Sequence, residues 1–217
     1  MPPDSSSIVN LLRIAAPDAI VRWADREKYF ADKIASCPRV EEKFLRQWRA
    51  HWNLSQAIPS EPLAKRLNHI RPSLRKVEED RLPEMVKELV QTLKDHGITT
   101  NTRKNRTRQT SLMSKFAFSL HPTIAVPYDR HARKGLEILY GYRIKEHDYP
   151  TYVAKFNEFA EECSKKLDET GLTETLQPLW KPFMDETLFS RRSADKLLML
   201  LSRMPKEKLA FWSVDGQ

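Results

Sequence analysis

Apolar residues along this chain recur at intervals of three and four positions, the spacing that places them on one face of an α-helix. The clearest case is Met85, Leu89 and Leu93, and Gly97 follows where such a helix would end. The chain has five glycines, and before residue 215 it lacks the Asn-Gly and Asp-Gly turns that are typical of β-hairpins. The pattern therefore predicts an all-α fold with many helices.

Prolines are expected at the ends of these helices, because Pro lacks the amide hydrogen that a helix interior needs. The predicted helices span residues 7–15, 17–34, 40–52, 63–70, 73–80, 82–96, 108–120, 129–140, 149–170, 173–189 and 193–203. A chain of 217 residues fits a single compact helical domain, 1–217, or two lobes, 1–97 and 98–217, around a cleft.

The composition restricts the environment and the cofactors. Cys37 and Cys163 stand alone, without paired Cys or His spacing, so we expect no metal site, no other cofactor and a reducing compartment. No apolar run approaches the ~18 residues of a membrane span, and the N-terminus lacks a signal-peptide pattern. We therefore expect a soluble, intracellular protein in the cytoplasm or nucleoid, with no membrane partner.

Positive charge is concentrated in one part of the chain. Lys and Arg outnumber Asp and Glu by 37 to 29, a formal charge of +8. The window 97–128 contains no acid, and its basic segment, residues 103–108, contributes Arg103, Lys104, Arg106 and Arg108. Arg and Lys neutralise phosphates, so the segment predicts contacts with DNA, most simply a duplex; a solvated basic loop is equally compatible with the composition. A second basic stretch, 46–52, contains Trp48 and Trp52 at the spacing of core residues.

The window ends in Ser-Leu-His-Pro-Thr-Ile-Ala-Val-Pro-Tyr-Asp-Arg-His, residues 119–131. This stretch resembles the catalytic segment of the helix-hairpin-helix DNA glycosylases, the superfamily of the 8-oxoguanine glycosylases. In that family an apolar helix is followed by a short Pro-containing link, which delivers an Asp at the start of the next helix. The resemblance covers residues 110–139 and implies an all-helical enzyme of base excision and DNA repair.

The resemblance assigns roles to individual residues. Asp129 matches the family's catalytic Asp, which stabilises the sugar cation as the flipped-out base leaves. Tyr128, or a tryptophan, would supply a wall on which the base stacks, and His131 matches a His that we interpret as structural support. Asp is also an ordinary helix N-cap, and one residue can be both.

The chain departs from the family at two places. The family's glycine-rich hairpin is absent, since no glycine lies between Gly97 and Gly135, so any phosphate contacts there would come from side chains. The slot of the nucleophilic Lys of the bifunctional members falls on Thr110 or Ser111. Lys115 is the nearest helical lysine, and burial in its apolar helix would favour the neutral, nucleophilic amine. The alternative is a Lys115 that extends from a half-buried helix to solvent.

Two hypotheses from different classes remain. The first is a DNA N-glycosylase, hydrolytic or with lyase activity, in which Asp129 and Lys115 are catalytic. The second is a non-catalytic helical protein that binds nucleic acid through residues 103–108 and uses Asp129 only as a cap.

Overall fold

The computed structural model describes residues 5–55, 57–98, 109–141 and 143–205, and all regular secondary structure within these ranges is helical. The all-α prediction is therefore confirmed. None of the described helices is both long and apolar enough to cross a membrane. In chain order the helical elements are α1 (Ser5–Arg22), a π-helical turn (Trp23–Glu27), α2 (Lys28–Ser36), α3 (Glu42–His51), α4 (Ser60–Arg75), α5 (Leu82–Asp95), α6 (Thr110–Leu120), α7 (Arg130–Tyr140), α8 (Tyr149–Glu169), α9 (Leu172–Trp180) and α10 (Glu186–Leu201).

The helices form two compact units, each built from separated stretches of chain. The first unit comprises Met1–Asp25, Asp129–Glu146 and Thr151–Gln217. The second comprises Arg26–Tyr128 and His147–Pro150. These boundaries differ from the lobes 1–97 and 98–217 considered above. The physical reason is that the apolar face of α1 is covered by α10, a pairing of the two ends of the chain that local patterns do not reveal.

In the first unit, α10 packs against both α1 and α7. Ala15, Ala16 and Ala19 on α1 are fully buried, and small side chains of this kind let helices approach closely. Gly135 on α7 faces the backbone of Leu198 on α10, where an added Cβ would lie 2.3 Å from the Leu198 carbonyl oxygen. The crossing of α7 and α10 therefore requires glycine at this position.

The second unit is built around α6, which packs against α2, α4 and α5. Nine of the eleven residues of α6, Thr110 and Leu112 through Ser119, are buried, so the polar side chains of this helix lie inside the unit together with its apolar ones. The ring of Trp48 on α3 meets Phe116 edge to face at 6.1 Å, and its Nε1 donates a hydrogen bond to the Ser119 hydroxyl at 3.2 Å. The prediction that Trp48 belongs to the core is confirmed.

Three prolines lie inside helices, and the prediction that prolines mark helix ends is wrong for two of them, Pro17 and Pro72. The third, Pro178, lies within the predicted helix 173–189. Pro17, Pro72 and Pro178 are interior to α1, α4 and α9. The predicted breaks near residues 16 and 71 are therefore absent. An interior Pro costs about 3 kcal/mol, while each fully buried large aliphatic side chain contributes about 1.5–3 kcal/mol, so a buried helix face outweighs it.

The helix ends near the C-terminus also differ from expectation. The predicted helix 173–189 ends early, because α9 stops at Trp180 and Asp185 caps a new helix by accepting a hydrogen bond from the amide of Leu188 at 2.8 Å. Helix α10 then runs through the predicted gap at residues 190–192. Arg192 is buried there and forms an ion pair of 2.7 Å with Asp195, so each of the two buried charges has an opposite charge beside it.

Candidate functional site

The basic segment leads directly into α6. Arg103, Lys104, Arg106 and Arg108 lie outside the described residues, so their proposed contacts with DNA stay a prediction. The description resumes at Gln109, which precedes the first residue of α6 and makes no side-chain cap hydrogen bond. Thr110 is buried at the start of this helix, and its hydroxyl lies 3.2 Å from Nδ1 of His147.

Lys115 lies on the buried helix α6 and is only 5% exposed. Its Nζ donates a hydrogen bond to the carbonyl oxygen of Trp52 at 3.2 Å and lies 5.5 Å from the centroid of the Trp52 ring. A carbonyl oxygen and an aromatic face both stabilise a desolvated ammonium group. The interpretation that Lys115 reaches solvent is therefore wrong, because α6 is covered on nearly all sides.

The link between α6 and α7, residues 121–128, is held by side chains of the second unit. The Tyr149 hydroxyl donates to the carbonyl oxygen of Val126 at 2.8 Å and accepts from its amide at 3.3 Å. The Ser114 hydroxyl accepts from the amide of Tyr128 at 2.9 Å. Pro127 supplies no amide hydrogen, so the backbone donors of residues 126–128 are the Val126 and Tyr128 amides, and both are satisfied.

Tyr128 is part of the packing of the second unit and is 6% exposed. Its hydroxyl accepts a hydrogen bond from the backbone amide of His147 at 3.1 Å, and its ring lies nearly parallel to the His147 ring at 6.4 Å. A Tyr128 ring that stacks on a flipped base would have to give up part of this packing. The stacking role of Tyr128 stays a prediction.

Asp129 is the N-cap of α7, as its position after Pro127 and Tyr128 predicts. Its backbone is extended, and its Oδ1 accepts a hydrogen bond from the amide of His131 at 2.7 Å. The His131 ring is in turn within 3.1 Å of the Ser202 hydroxyl through Nδ1. The cap is thus present, and the His131 ring contacts α10's C-terminal neighbour Ser202 in the same unit, while the role of His131 as structural support stays a prediction.

The predicted site residues divide between the units. Lys115 and Tyr128 belong to the second unit, and Asp129 and His131 belong to the first. Within the second unit, Lys115 and Tyr128 share one neighbour, since Ser114 precedes Lys115 and binds the backbone of Tyr128. Sequence reasoning missed Ser114 and Tyr149. Tyr149 carried the weak signal of a Tyr-Pro pair at the start of a predicted helix.

The stretch 46–52 does not form a basic surface. Arg49 is fully buried and donates to the Ile58 carbonyl at 2.9 Å, to the Ser60 hydroxyl at 3.1 Å and to the Ser55 carbonyl. Burial, with a smaller contribution from Arg46, lowers the pKa of Arg49 from its usual value. Arg49 therefore ties the loop after α3 to the core of the second unit.

The second unit contains a cavity of about 310 Å³. Its lining includes Thr110, His147 and Tyr149, together with Lys87, Glu88, Val90 and Gln91 of α5. This volume is at the lower end of the range of small-molecule pockets. Lys115 is not among the described residues that line it.

Within the described ranges, no group of three or more His, Cys, Asp or Glu side chains is placed to hold a metal ion. Among the residues described above, the groups that could act as acids, bases or nucleophiles are the carboxylate of Asp129, the amine of Lys115, and the hydroxyls that hold the link. In comparisons with known proteins, no family model, no curated protein and no solved structure matches this chain.

Proposed function

We propose that this chain is a DNA N-glycosylase that excises a flipped base, with Asp129 as the catalytic carboxylate. The observation that carries the proposal is the order of parts around Asp129. A buried apolar helix, α6, is followed by a link anchored through Val126 and Tyr128, and Asp129 opens the next helix. This order is the one that the resemblance to helix-hairpin-helix glycosylases requires.

The chemistry needs a fixed negative charge at the sugar. When the glycosidic C–N bond breaks, its electron pair leaves with the base and positive charge develops on the sugar. A preorganised carboxylate stabilises that charge more in the transition state than in the bound substrate, which lowers the barrier. Water then adds to the sugar and gives up a proton, which balances the proton that the departing base takes up, and an abasic site remains.

The contacts of Lys115 favour this water route over a lyase. To attack the sugar, Nζ would have to leave both the Trp52 carbonyl oxygen and the Trp52 ring. Breaking buried polar contacts of a cation costs about 1.5–3 kcal/mol per hydrogen bond. We therefore assign Lys115 a structural role in the proposed enzyme, and lyase activity through Lys115 is the alternative mechanism to be tested.

A second candidate function is a non-catalytic DNA-binding protein. The observation that favours it is the hydrogen bond from the His131 amide to Asp129, which accounts for the carboxylate as a cap. In this case the basic segment, residues 103–108, binds phosphates and nothing is cleaved.

The test is an excision assay on end-labelled duplexes that each carry one altered base, such as uracil, hypoxanthine, 8-oxoguanine or 3-methyladenine, with normal duplex as the control. Alkali cleaves any abasic site, so a glycosylase gives a labelled fragment of defined length. Borohydride traps a lysine adduct only if a Schiff base forms. Binding without any fragment across the panel supports the non-catalytic candidate.

A further inference from the structure

Four residues that span the end of the α7–α8 loop and the first two positions of α8 belong to the second unit, although the chain on both sides of them belongs to the first. These residues, His147–Pro150, follow Asp129–Glu146 and precede Thr151–Gln217. We call them the return segment. After Tyr128 the chain re-enters the second unit only for this short stretch, so the contacts of these four residues are what join it to that unit.

The contacts of the return segment concentrate on the last three residues before Asp129. Tyr149 bonds both backbone groups of Val126, at 2.8 and 3.3 Å. The amide of His147 donates to the Tyr128 hydroxyl at 3.1 Å, and the Tyr149 ring meets the Tyr128 ring edge to face at 6.4 Å. One segment thus holds the backbone of Val126 and the side chain of Tyr128.

In this arrangement His147 adopts an unfavourable backbone conformation. Its φ of 67° is in the left-handed region, which residues other than glycine seldom adopt. Such a conformation persists only where surrounding contacts hold it. Here the Tyr128 hydroxyl holds the His147 amide, and the Thr110 hydroxyl lies 3.2 Å from its ring.

We propose that the return segment is a clamp that fixes residues 126–128, and that Tyr149 is a positioning residue for Asp129. The catalytic part of this inference rests on the proposed function. Pro127 has no amide hydrogen, so the link is held through Val126 on one side and Tyr128 on the other. Tyr149 holds the backbone of Val126, and Ser114 holds the amide of Tyr128. The next peptide unit along the chain is that of Asp129.

The first arm of the test needs no activity. Tyr149→Phe removes the hydroxyl and keeps the ring, so the amide of Val126 loses its acceptor. We expect hydrogen exchange at Val126 to accelerate roughly tenfold, the factor that corresponds to one net hydrogen bond. Tyr29→Phe is the matched control, because Tyr29 is an exposed tyrosine of the same unit that packs on Phe30. Unchanged exchange at Val126 in Tyr149→Phe overturns the proposal.

Ser114→Ala provides a second variant that acts on the other anchor. It removes the acceptor of the Tyr128 amide, so exchange should accelerate at Tyr128. If Tyr149→Phe does not fold, this variant decides whether the link depends on side-chain anchors. If the Tyr128 amide exchanges as slowly in Ser114→Ala as in the parent, the proposal that side chains anchor the link is overturned.

The second arm uses single-turnover excision on a duplex that the parent processes. We expect Tyr149→Phe to lower the rate about tenfold to a hundredfold, since a misplaced catalytic group loses rate, while DNA affinity is unchanged. A purely structural residue would lower the melting temperature without this split. Faster exchange with an unchanged excision rate overturns the positioning role. If the parent excises nothing, the proposed function fails, and the exchange arm still decides whether the clamp holds the link.

Discussion

The carboxylate of Asp129 caps α7 and is also the proposed electrostatic partner of the sugar cation, and one substitution separates these roles. Asn caps helices about as well as Asp, so Asp129→Asn should change the free energy of unfolding by no more than roughly 0.5 kcal/mol. Excision should fall at least about a hundredfold, since the charge that stabilises the transition state is lost. Excision kinetics and thermal melts of the same preparation measure the two effects.

Asp185 offers a matched control for that experiment. It caps α10 of the same unit through the Leu188 amide at 2.8 Å, which is the same kind of contact that Asp129 makes with His131. Asp185→Asn should leave both stability and excision unchanged. If Asp129→Asn excises a base as fast as the parent does, Asp129 is only a cap and is not the catalytic carboxylate.

The two cysteines should differ sharply in reactivity. Cys163 is fully buried, and burial raises the pKa of its thiol well above the ordinary value, so thiolate is scarce near pH 8. Cys37 is partly exposed, and its Sγ lies 3.2 Å from a guanidinium nitrogen of Arg71. A maleimide should therefore modify one thiol in the native protein and two in denaturant. Mass spectrometry of the native adduct identifies the thiol, and modification at Cys163 would contradict the packing of α8.

Among the elements, the crossing of α7 and α10 depends most strictly on a single residue. In Gly135→Ala the new Cβ would lie 2.3 Å from the Leu198 carbonyl oxygen, so the helices must separate. We expect a loss of about 1–3 kcal/mol of stability, the usual cost of overpacking. Denaturant unfolding measures it. Lys134→Ala, at the exposed neighbouring position, should change stability by less than about 0.5 kcal/mol.

Helix ends marked by glycine were predictable from the sequence, and those marked by proline were not. Gly97 and Gly141 adopt the left-handed conformation after α5 and α7, at φ of 67° and 69°. Glycine has this local preference whatever surrounds it. The effect of Pro17 or Pro72 depends on how much apolar surface the rest of the helix buries, which is a tertiary property.

The candidate site was predictable only in part, for the same reason. The cap position of Asp129 and the core position of Trp48 each follow from the local sequence of a single helix, α7 and α3 respectively. The pairing of Tyr149 with Val126 joins residues 23 positions apart and depends on the path of the link. Ser114 was hidden because a serine in a buried helix has no distinctive sequence pattern. Its role became visible through the Tyr128 amide.

At the scale of the whole molecule, we predict that DNA binding depends more on where the positive charge lies along the chain than on its total. Replacing Arg103, Lys104, Arg106 and Arg108 with Gln should abolish duplex binding with little change in melting temperature, because the sequence predicts a solvated segment and solvated charges contribute little to stability. The control replaces four exposed lysines elsewhere, Lys33, Lys43, Lys94 and Lys145, and changes the net charge equally. Gel-shift and melting experiments compare the two variants. Equal loss of binding in both would mean that only the total charge acts.

The salt dependence of binding measures how many of these charges contact phosphates. Each neutralised phosphate releases counterions, so log K falls with log salt by about 0.9 per contact, and four contacts give a slope near −3.6. Fluorescence anisotropy of a labelled duplex from low to moderate salt gives the slope. Replacing Arg106 alone should make the slope less steep by about 0.9, whereas replacing Lys94 alone should leave it unchanged. A flat response in the parent would remove DNA as the partner, and with it both candidate functions.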